Sequence, residues 1–462
     1  MTAPHALSAV EMLMQFRARK LSPSEVWQDL ENHIARCEPL IQALYLYDPE
    51  TARAEAKAAT ERWAKGQPHG ALDGVPATVK DNIATKGAPM PLGTAATTLT
   101  PYAEDAPPAA RLREAGAIIF AKTTMPDYGM TSSSLSSFHA LARNPWDRTK
   151  TPGGSSSGAG AAGAAGYGPL HIGTDIGGSV RLPASWCGLV GHKPSLGRIP
   201  IDPPYVGRCA GPMTRTVDDT ALMMAIVSKP DWHDGMSLPP AKIDWSGLDA
   251  TVDGLRIGLM TDAGFGMPAD PEVKAAVEKA AARFAEAGAK VEPVAPIWTR
   301  AMIDGLDKFW RARLWADLEP LPQSERDKVL PYVRQWAEGG TQVSGAEAVR
   351  GFGQTMEMRK AAAKLFSGLD FVLSPTAPVP AFPAELSSPL DDPAKPFEHI
   401  GFTVGWNMTE QPACSINCGF TKGGLPIGLQ IIGRRFDDLG VLRLAKAYEG
   451  WRGPITTWPK VA

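Results

Sequence analysis

The segment from residue 153 to residue 179 restricts the fold of this chain more than any other feature, because it holds ten glycines and four serines. Ser155, Ser156 and Ser157 stand near its beginning, and Ser179 stands at its end. Glycine lets backbone approach backbone or a ligand closely, and it adopts angles that other residues avoid. The segment therefore predicts a tightly packed backbone around a small site, for which three interpretations compete.

Three of the glycines match a dinucleotide-binding motif. Gly158, Gly160 and Gly163 fit the pattern G-x-G-x-x-G, whose glycines let a pyrophosphate approach the amino terminus of a helix. That motif follows a buried strand, whereas residues 144–157 are polar and interrupted by proline. An acidic residue about 20 positions downstream is also missing from the expected place. Dinucleotide binding is therefore a weak interpretation.

A second motif overlaps the first. Gly154, Ser156 and Gly158 spell G-x-S-x-G, the nucleophile elbow of α/β-hydrolases, in which a serine stands between a strand and a helix. His399 is available as the late histidine base that such an enzyme needs. The preceding strand is again missing, but an esterase that uses Ser156 remains an open alternative.

The third interpretation uses the whole segment together with an upstream lysine. Residues 153–158 read Gly-Gly-Ser-Ser-Ser-Gly, and residues 173–183 read Gly-Thr-Asp-Ile-Gly-Gly-Ser-Val-Arg-Leu-Pro. Residues 75–82 read Val-Pro-Ala-Thr-Val-Lys-Asp-Asn, and their period-two alternation predicts a strand that ends at Lys80. In this combination the chain resembles the amidase signature family.

The resemblance extends over most of the chain. Further segments similar to the family are residues 121–128, 144–146, 373–378 and 424–433. Two departures are Glu410, where many relatives have glycine, and residues 298–348, which match no family segment. We expect these departures to affect the substrate rather than the mechanism.

The resemblance implies a serine amidohydrolase with a Ser-cisSer-Lys triad. By this resemblance Ser179 attacks the amide carbonyl, Ser155 passes its proton to neutral Lys80, and the same relay returns a proton to the leaving nitrogen. The reaction would pass through an acyl-enzyme without any histidine. The resemblance also implies a cis peptide bond between Gly154 and Ser155.

This chemistry has two physical requirements. A lysine is a base near neutral pH only if burial or a cationic neighbour lowers its pKa from about 10.4, so we expect Lys80 to be buried. The tetrahedral oxyanion needs backbone N–H donors at a place where small residues permit close approach. The predicted oxyanion hole consists of Ile176, Gly177, Gly178 and Ser179.

Other residues near the triad are expected to contact the substrate or to support the loops. By position relative to family members, the predicted substrate-binding residues are Tyr128, Gly129, Met130, Thr131 and Thr174, with Phe138 as a further candidate. Structural roles are expected for Gly154, Ser156, Asp175 and Arg181. An apolar slot of this kind favours bulky or aromatic amides such as anilides, with carbamates (urethanes) as a further class.

Alternating strand and helix patterns predict the architecture. Capping boxes at Ser8 and Ser22 indicate two early helices. Residues 255–260 and 290–294 read as strands on either side of a helix, which predicts a crossover between parallel strands. We therefore expect an α/β protein with the amidase signature fold, in which a central, mixed, mostly parallel, twisted β-sheet is covered by helices on both faces.

We expect a single amidase domain over residues 1–462. Residues 1–70 would form amino-terminal helices, 71–295 the core with the signature segment 153–183, and 349–462 a return to the core. Residues 298–348 would form a helical insertion near the pocket. Its aromatic residues either form the core of that insertion or line the pocket mouth, and they are Trp298, Phe309, Trp310, Trp315 and Trp336.

Composition excludes several classes of partner. The formal net charge is −2 and no dense Lys/Arg run occurs, so binding to nucleic acid or to an anionic membrane is not expected. No export signal and no apolar stretch of about 18 residues is visible. We expect a cytoplasmic monomer or homodimer whose partners are a small amide or carbamate and water.

Cysteine usage points away from disulfides and metals. The five cysteines form an odd set without C-x-x-C spacing, which favours reduced thiols and predicts neither a metal site nor a cofactor.

One alternative within the family is the A-type subunit of the tRNA-dependent amidotransferase, which releases ammonia to a partner protein. The Tyr/Gly-rich helical stretch of that branch is absent from residues 343–366.

Overall fold

Short apolar runs form the strands of the computed structural model, which describes residues 3–461. The described residues contain eleven strands: β1 (Leu44–Tyr45), β2 (Pro76–Lys80), β3 (Ile118–Thr123), β4 (Leu170–Asp175), β5 (Val190–Lys193), β6 (Cys209–Thr214), β7 (Arg256–Leu259), β8 (Lys290–Pro293), β9 (Phe371–Pro375), β10 (Ala413–Phe420) and β11 (Pro426–Gly433).

Fourteen α-helices accompany these strands in the same residues: α1 (Ala9–Arg17), α2 (Pro23–Ile41), α3 (Pro49–Ala64), α4 (Pro107–Glu114), α5 (Ser157–Ala165), α6 (Arg181–Cys187), α7 (Val217–Val227), α8 (Pro271–Glu286), α9 (Arg300–Leu318), α10 (Gln323–Arg326), α11 (Pro331–Glu338), α12 (Gly345–Phe366), α13 (Val404–Met408) and α14 (Asp438–Arg452). Between residues 3 and 461, no helix combines the length and apolar content needed to cross a bilayer.

All strands join one sheet, in the order β1-β3-β2-β4-β6-β5-β10-β11-β9-β7-β8. Four neighbouring pairs are parallel, namely β3–β2, β2–β4, β9–β7 and β7–β8, and the other six are antiparallel. The prediction of a mixed α/β sheet is confirmed, but the expectation that it is mostly parallel is wrong. Residues 194–208 and 421–425 join neighbouring strands without a helix, and such direct connections produce antiparallel pairs.

Successive side chains of the central strands enter different cores. Phe371 and Leu373 of β9 join a core that includes α1, α7, α8 and α14. Val372, between them, joins a second core that includes α9, α11 and α12. Because neighbouring residues of a strand point to opposite faces, both faces of the sheet are covered, as predicted.

Several local predictions are confirmed. The Ser8 hydroxyl accepts a hydrogen bond from the amide of Glu11 at 3.1 Å, and Ser22 accepts one from Glu25 at 3.3 Å, which completes both capping boxes. The predicted crossover is β7–α8–β8, whose two strands pair in parallel.

The helical region that begins near residue 298 extends further than predicted. It contains α9 to α11 and continues through α12 to Phe366, because Ser344 and Glu347 form a third capping box that starts a long helix. Of its aromatic residues, Trp298 and Trp336 are buried in the second core. The division of the chain into segments stays a prediction.

The carboxyl ends of two parallel strands define where the site lies. Strands β2 and β4 pair in parallel with Val79 opposite Ile172, so Lys80 and Thr174 reach the same edge of the sheet. Helix α5 packs beside them with all nine of its residues buried. At Gly158 a Cβ atom would collide with the backbone of Ala43 and Thr124, so this close packing requires glycine.

We predict that Trp298→Ala lowers the free energy of unfolding by about 3–5 kcal/mol, because the buried ring packs against Trp406 at a centroid distance of 5.0 Å. The matched control is Trp232→Ala, since Trp232 is 86% exposed, and its effect should stay within about 0.5 kcal/mol. Urea unfolding followed by circular dichroism measures both. Equal effects would contradict the assignment of Trp298 to the second core.

Candidate active site

Lys80 is fully buried at the end of β2, as the sequence predicts. Its Nζ atom lies 2.8 Å from the hydroxyl oxygen of Ser155 and 3.0 Å from that of Thr174. Burial, together with the positive charge of Arg208, lowers the pKa of Lys80 to about 7. The amine can therefore be uncharged near neutral pH and accept the Ser155 proton.

The backbone places Ser155 beside this lysine. The peptide bond between Gly154 and Ser155 is cis, which confirms the sequence prediction. Ser155 is 4% exposed and lines a cavity, so its hydroxyl is enclosed without being sealed from a small molecule. Gly129 lies next to it, and a Cβ atom there would stand 3.1 Å from the Ser155 hydroxyl oxygen. Its positive φ of 69° is a second reason for glycine at this position.

Ser179 lies at the other end of the glycine-rich segment and lines the same cavity as Ser155. The amide of Ser156 donates to the carbonyl of Ser179 at 3.2 Å, so the two ends of the segment are held side by side. Among residues 3–461 no hydrogen bond joins the hydroxyls of Ser155 and Ser179. Catalytic hydrogen bonds are often loose in the absence of substrate and tighten when it binds.

The predicted oxyanion hole is only partly free. The amide of Gly178 donates to the carboxylate of Asp175 at 2.8 Å, which removes Gly178 from the available donors. Within the described residues, the amides of Ile176, Gly177 and Ser179 form no hydrogen bond outside regular strand pairing. All three of these residues line one cavity, the first cavity.

Asp175 and Arg181 form a buried ion pair beside the loop of residues 176–180, at a distance of 2.9 Å. Both side chains are inaccessible to solvent. Arg181 also donates to Asn407 at 2.5 Å and to Gln430 at 2.7 Å, and Asn407 donates to Asp175 at 2.9 Å. The predicted supporting role of Asp175 and Arg181 agrees with this network, which ties the loop to the carboxyl-terminal part of the chain.

The network also determines the charge of Asp175. Burial by itself raises the pKa of this carboxyl, but the charge and hydrogen bonds of Arg181, together with Lys193 and Asn407, outweigh burial and hold the pKa well below its usual range. Asp175 is therefore a carboxylate at every physiological pH. It accepts from the amides of Gly178 and Val180 at 2.8 and 3.1 Å and so fixes the turn before α6.

Ser179 also lines the first cavity. Three predicted substrate-binding residues, Gly129, Met130 and Thr131, line it together with Ile176 and Gly177. Its remaining wall is mixed. Aromatic and apolar surface comes from Trp310, Tyr332, Pro396, Phe397 and Ile400, and polar surface comes from Ser132, Arg313, Ser387, Ser388 and His399. Trp310 is thus the member of the aromatic group that reaches the site.

Both Ser155 and Ser179 line the second cavity. The other two predicted substrate-binding residues, Tyr128 and Thr174, line it. Apolar and aromatic contacts come from Met90, Leu92, Met125, Tyr205 and Leu314, and polar groups from Asn82, Arg208, Arg313 and Asp317. The two cavities share Ser179, Gly129, Met130, Ile176 and Arg313.

The structure does not support the nucleophile-elbow alternative. Ser156 is fully buried, and its hydroxyl donates to the carbonyl of Thr174 at 3.2 Å, which matches the expected supporting role. His399, the candidate base, lines the first cavity instead, and burial lowers its pKa to about 3. The glycines of the dinucleotide motif lie inside α5, whose residues are all buried, so no ligand can reach them there.

Two further expectations have definite outcomes. Phe138 is not among the residues that line either cavity; its ring packs edge-on against Tyr45 and His139. Glu410 has a positive φ of 68°, a backbone conformation that favours glycine. Its carboxylate pairs with Arg359 and Arg435, each at 2.5 Å, so it braces the region behind α13.

The sequence did not reveal Asn82, Arg208 or Arg313 as site residues, and it offered His399 only as the base of the nucleophile-elbow alternative. The Asn82 side chain lies 3.1 Å from the Thr174 hydroxyl, and its position two residues after Lys80 was the one available signal. The others stand in loops or on a helix without a motif. Within residues 3–461, no group of three His, Cys, Asp or Glu side chains is arranged to hold a metal ion.

We predict that Asp175→Asn lowers the free energy of unfolding by about 3–5 kcal/mol, because it leaves the buried guanidinium of Arg181 without its counter-charge. The control is Glu357→Gln, which removes an exposed pair with Lys360 and should cost about 0–1 kcal/mol. Urea unfolding provides both values. Similar small losses in the two variants would contradict the dependence of the loop on this ion pair.

Comparison with known proteins agrees with this geometry. A family model described as Amidase matches residues 25–442. The A-type subunit of the glutamyl-tRNA(Gln) amidotransferase of Myxococcus xanthus (strain DK1622) is 34% identical over 96% of this chain and 96% of its own length. An acylamidase of Rhodococcus erythropolis is 32% identical over 97% of this chain and 96% of its own. The crystal structure of a bacterial aryl acylamidase of the amidase signature family has a TM-score of 0.90 and 27% identity, and it covers 100% of this chain and 99% of that one. The chain therefore belongs to the amidase signature family.

Proposed function

We propose that this protein is an amidohydrolase that cleaves linear C–N bonds of small aromatic or bulky amides through an acyl-enzyme on Ser179. The observation that carries the proposal is the buried Lys80 amine, 2.8 Å from the Ser155 hydroxyl, in a cavity that Ser179 also lines. A lysine with a pKa lowered to about 7 can act as a base at neutral pH. The acylamidase and aryl acylamidase relatives support the reaction class.

The proton follows a short path in this mechanism. The Ser155 hydroxyl donates to neutral Lys80 and accepts the proton of Ser179 as the Ser179 oxygen attacks the carbonyl carbon. The amides of Ile176, Gly177 and Ser179 donate to the oxyanion that forms. Ser155 then gives a proton to the leaving nitrogen, the C–N bond breaks, and water releases the acyl group by the reverse path.

This path assigns the two halves of the substrate to the two cavities. Ser155 must reach the leaving nitrogen, and it lines the second cavity, so the amine half occupies that cavity. The acyl half then extends into the first cavity, along Trp310 and Phe397. Aromatic walls bury a large flat group well, which supports bulky or aromatic acyl groups. Aryl carbamates have the same carbonyl and nitrogen and fit the same scheme.

The amidotransferase relative supports a second candidate, in which the protein releases ammonia from glutamine for a partner. The first cavity carries both kinds of surface, because Trp310, Phe397 and Ile400 suit a bulky acyl group, whereas Arg313, Ser387 and Ser388 can hydrogen-bond a short polar amide. An ammonia-release assay with glutamine distinguishes the candidates. Glutamine turnover faster than anilide turnover would favour the amidotransferase function.

We predict that Ser179→Ala, Ser155→Ala and Lys80→Met each lower kcat/KM for an acyl anilide and its matching aryl carbamate by about 10³-fold or more. Each change removes one of the three groups that together transfer the proton and attack the carbonyl carbon. Release of the aromatic amine measures the rate. Ser157→Ala is the matched control, since its hydroxyl donates to the Thr124 carbonyl and takes no part in the relay. Wild-type rates in Ser179→Ala would contradict the assignment of the nucleophile.

We predict that kcat/KM rises about tenfold per pH unit below pH 7 and levels off above it. The sign follows from Lys80: its protonated form cannot accept the serine proton, and its pKa is lowered to about 7 by burial and by Arg208. Rates between pH 5.5 and 9 on a substrate without ionisable groups measure the profile. A flat profile, or rates that fall as pH rises through 7, would contradict the role of Lys80 as the base.

A further inference from the structure

Two arginines that line the second cavity, Arg208 and Arg313, have no carboxylate partner, and Arg313 also lines the first cavity. Arg208 donates to the carbonyls of Pro203 at 2.7 Å and Asn82 at 3.1 Å. Arg313, on α9, places its guanidinium 4.1 Å from the ring centre of Tyr205. In the described part of the chain, neither guanidinium lies within 4.0 Å of a carboxylate. Both cations therefore retain capacity for an anion.

The acidic residues of this cavity do not cancel these charges. Asp175 is held by Arg181 at 2.9 Å. Asp317 is exposed and forms no ion pair with either arginine in residues 3–461. Lys80 is uncharged when the enzyme is competent for catalysis. The lining of the second cavity thus holds two unpaired arginines and one unpaired carboxylate, Asp317. Asp202 and Asp234 also act on Arg208, but from outside this lining and from beyond 4.0 Å.

Arg208 lines the same cavity as Ser155, and its charge acts on Lys80. Its guanidinium is bonded to the carbonyl of Asn82, the Asn82 side chain contacts Thr174 at 3.1 Å, and Thr174 contacts Lys80 at 3.0 Å. A group attached to a ring on the leaving nitrogen can therefore face the arginines while the nitrogen faces Ser155. Tyr128, Tyr205 and Leu314 provide apolar contacts for such a ring.

We infer that the preferred substrates are amides whose leaving amine carries an anionic oxygen group, as in an N-acylated aminobenzoate. This inference rests on the proposed amidohydrolase function and specifies its amine half. A carboxylate offers two oxygens to the planar guanidinium, which binds such groups with paired, charge-assisted hydrogen bonds. Hydrolysis then yields the free carboxylic acid of the acyl half and an amine that keeps its own carboxylate.

The first experiment compares N-benzoyl-4-aminobenzoate with N-benzoyl-4-aminobenzamide, which have the same shape and differ in one charge. We expect wild type to prefer the carboxylate by about tenfold or more in kcat/KM, and Arg208→Gln and Arg313→Gln each to reduce that ratio to about twofold or less. Rates are measured at pH 9, so that Lys80 is uncharged in every variant. Arg283→Gln, on the exposed face of α8, is the control and should keep the wild-type ratio.

The second experiment measures binding of the same two compounds to Ser179→Ala by calorimetry, with and without Arg313→Gln, and so does not depend on turnover. The inference is supported if Ser179→Ala binds the carboxylate compound more tightly than the amide compound and Arg313→Gln abolishes this difference. This holds even if wild type hydrolyses neither compound, because that result counts against the proposed function alone. Equal affinities, or a kinetic preference that survives both arginine substitutions, overturn the inference. Hydrolysis of both compounds at equal rates also overturns it and leaves the proposed function standing.

Discussion

The ion pair between Asp175 and Arg181 is the interaction on which the site depends. It joins the end of β4 to the beginning of α6, and through Asn407 and Gln430 it reaches the opposite half of the sheet. Two buried charges are stable only when their hydrogen bonds are satisfied, so this pair permits one arrangement of the loop between them. In that arrangement the amide of Gly178 donates to the Asp175 carboxylate, while the amides of Ile176, Gly177 and Ser179 remain available as donors.

A second constraint is the dry environment of Lys80. The amine lies among the ends of parallel strands, beside a helix made only of serine, glycine and alanine. Small residues let the backbone exclude water without bulky side chains, and exclusion of water makes the charged form of the lysine unfavourable. The glycine-rich segment and the basicity of the lysine are thus two aspects of the same packing, because close backbone contact produces both.

Features encoded by neighbouring residues could be predicted from the sequence. They include Lys80 at a strand end and the capping boxes at Ser8 and Ser22, which the structure contains. The cis bond before Ser155, which the structure also contains, was implied by the family resemblance and not by the local pattern. The direction of most strands could not be predicted from the sequence, because it depends on which distant strands become neighbours. The walls of the cavities were hidden for the same reason: Arg208 and Phe397 lie far apart in the chain, and no local pattern distinguishes them from ordinary surface or core residues.

The two cavities are built mainly from different stretches of chain. Helix α9 contributes to both cavities, but the first takes much of its remaining wall from α11 and residues 387–400, and the second from residues 82–92, 125–128 and 203–208. Specificity for one half of a substrate can therefore diverge while recognition of the other half is kept. For an evolving lineage, or for directed evolution in the laboratory, this makes the fold a combinatorial scaffold, in which separately selected loops can be recombined around an unchanged Ser179.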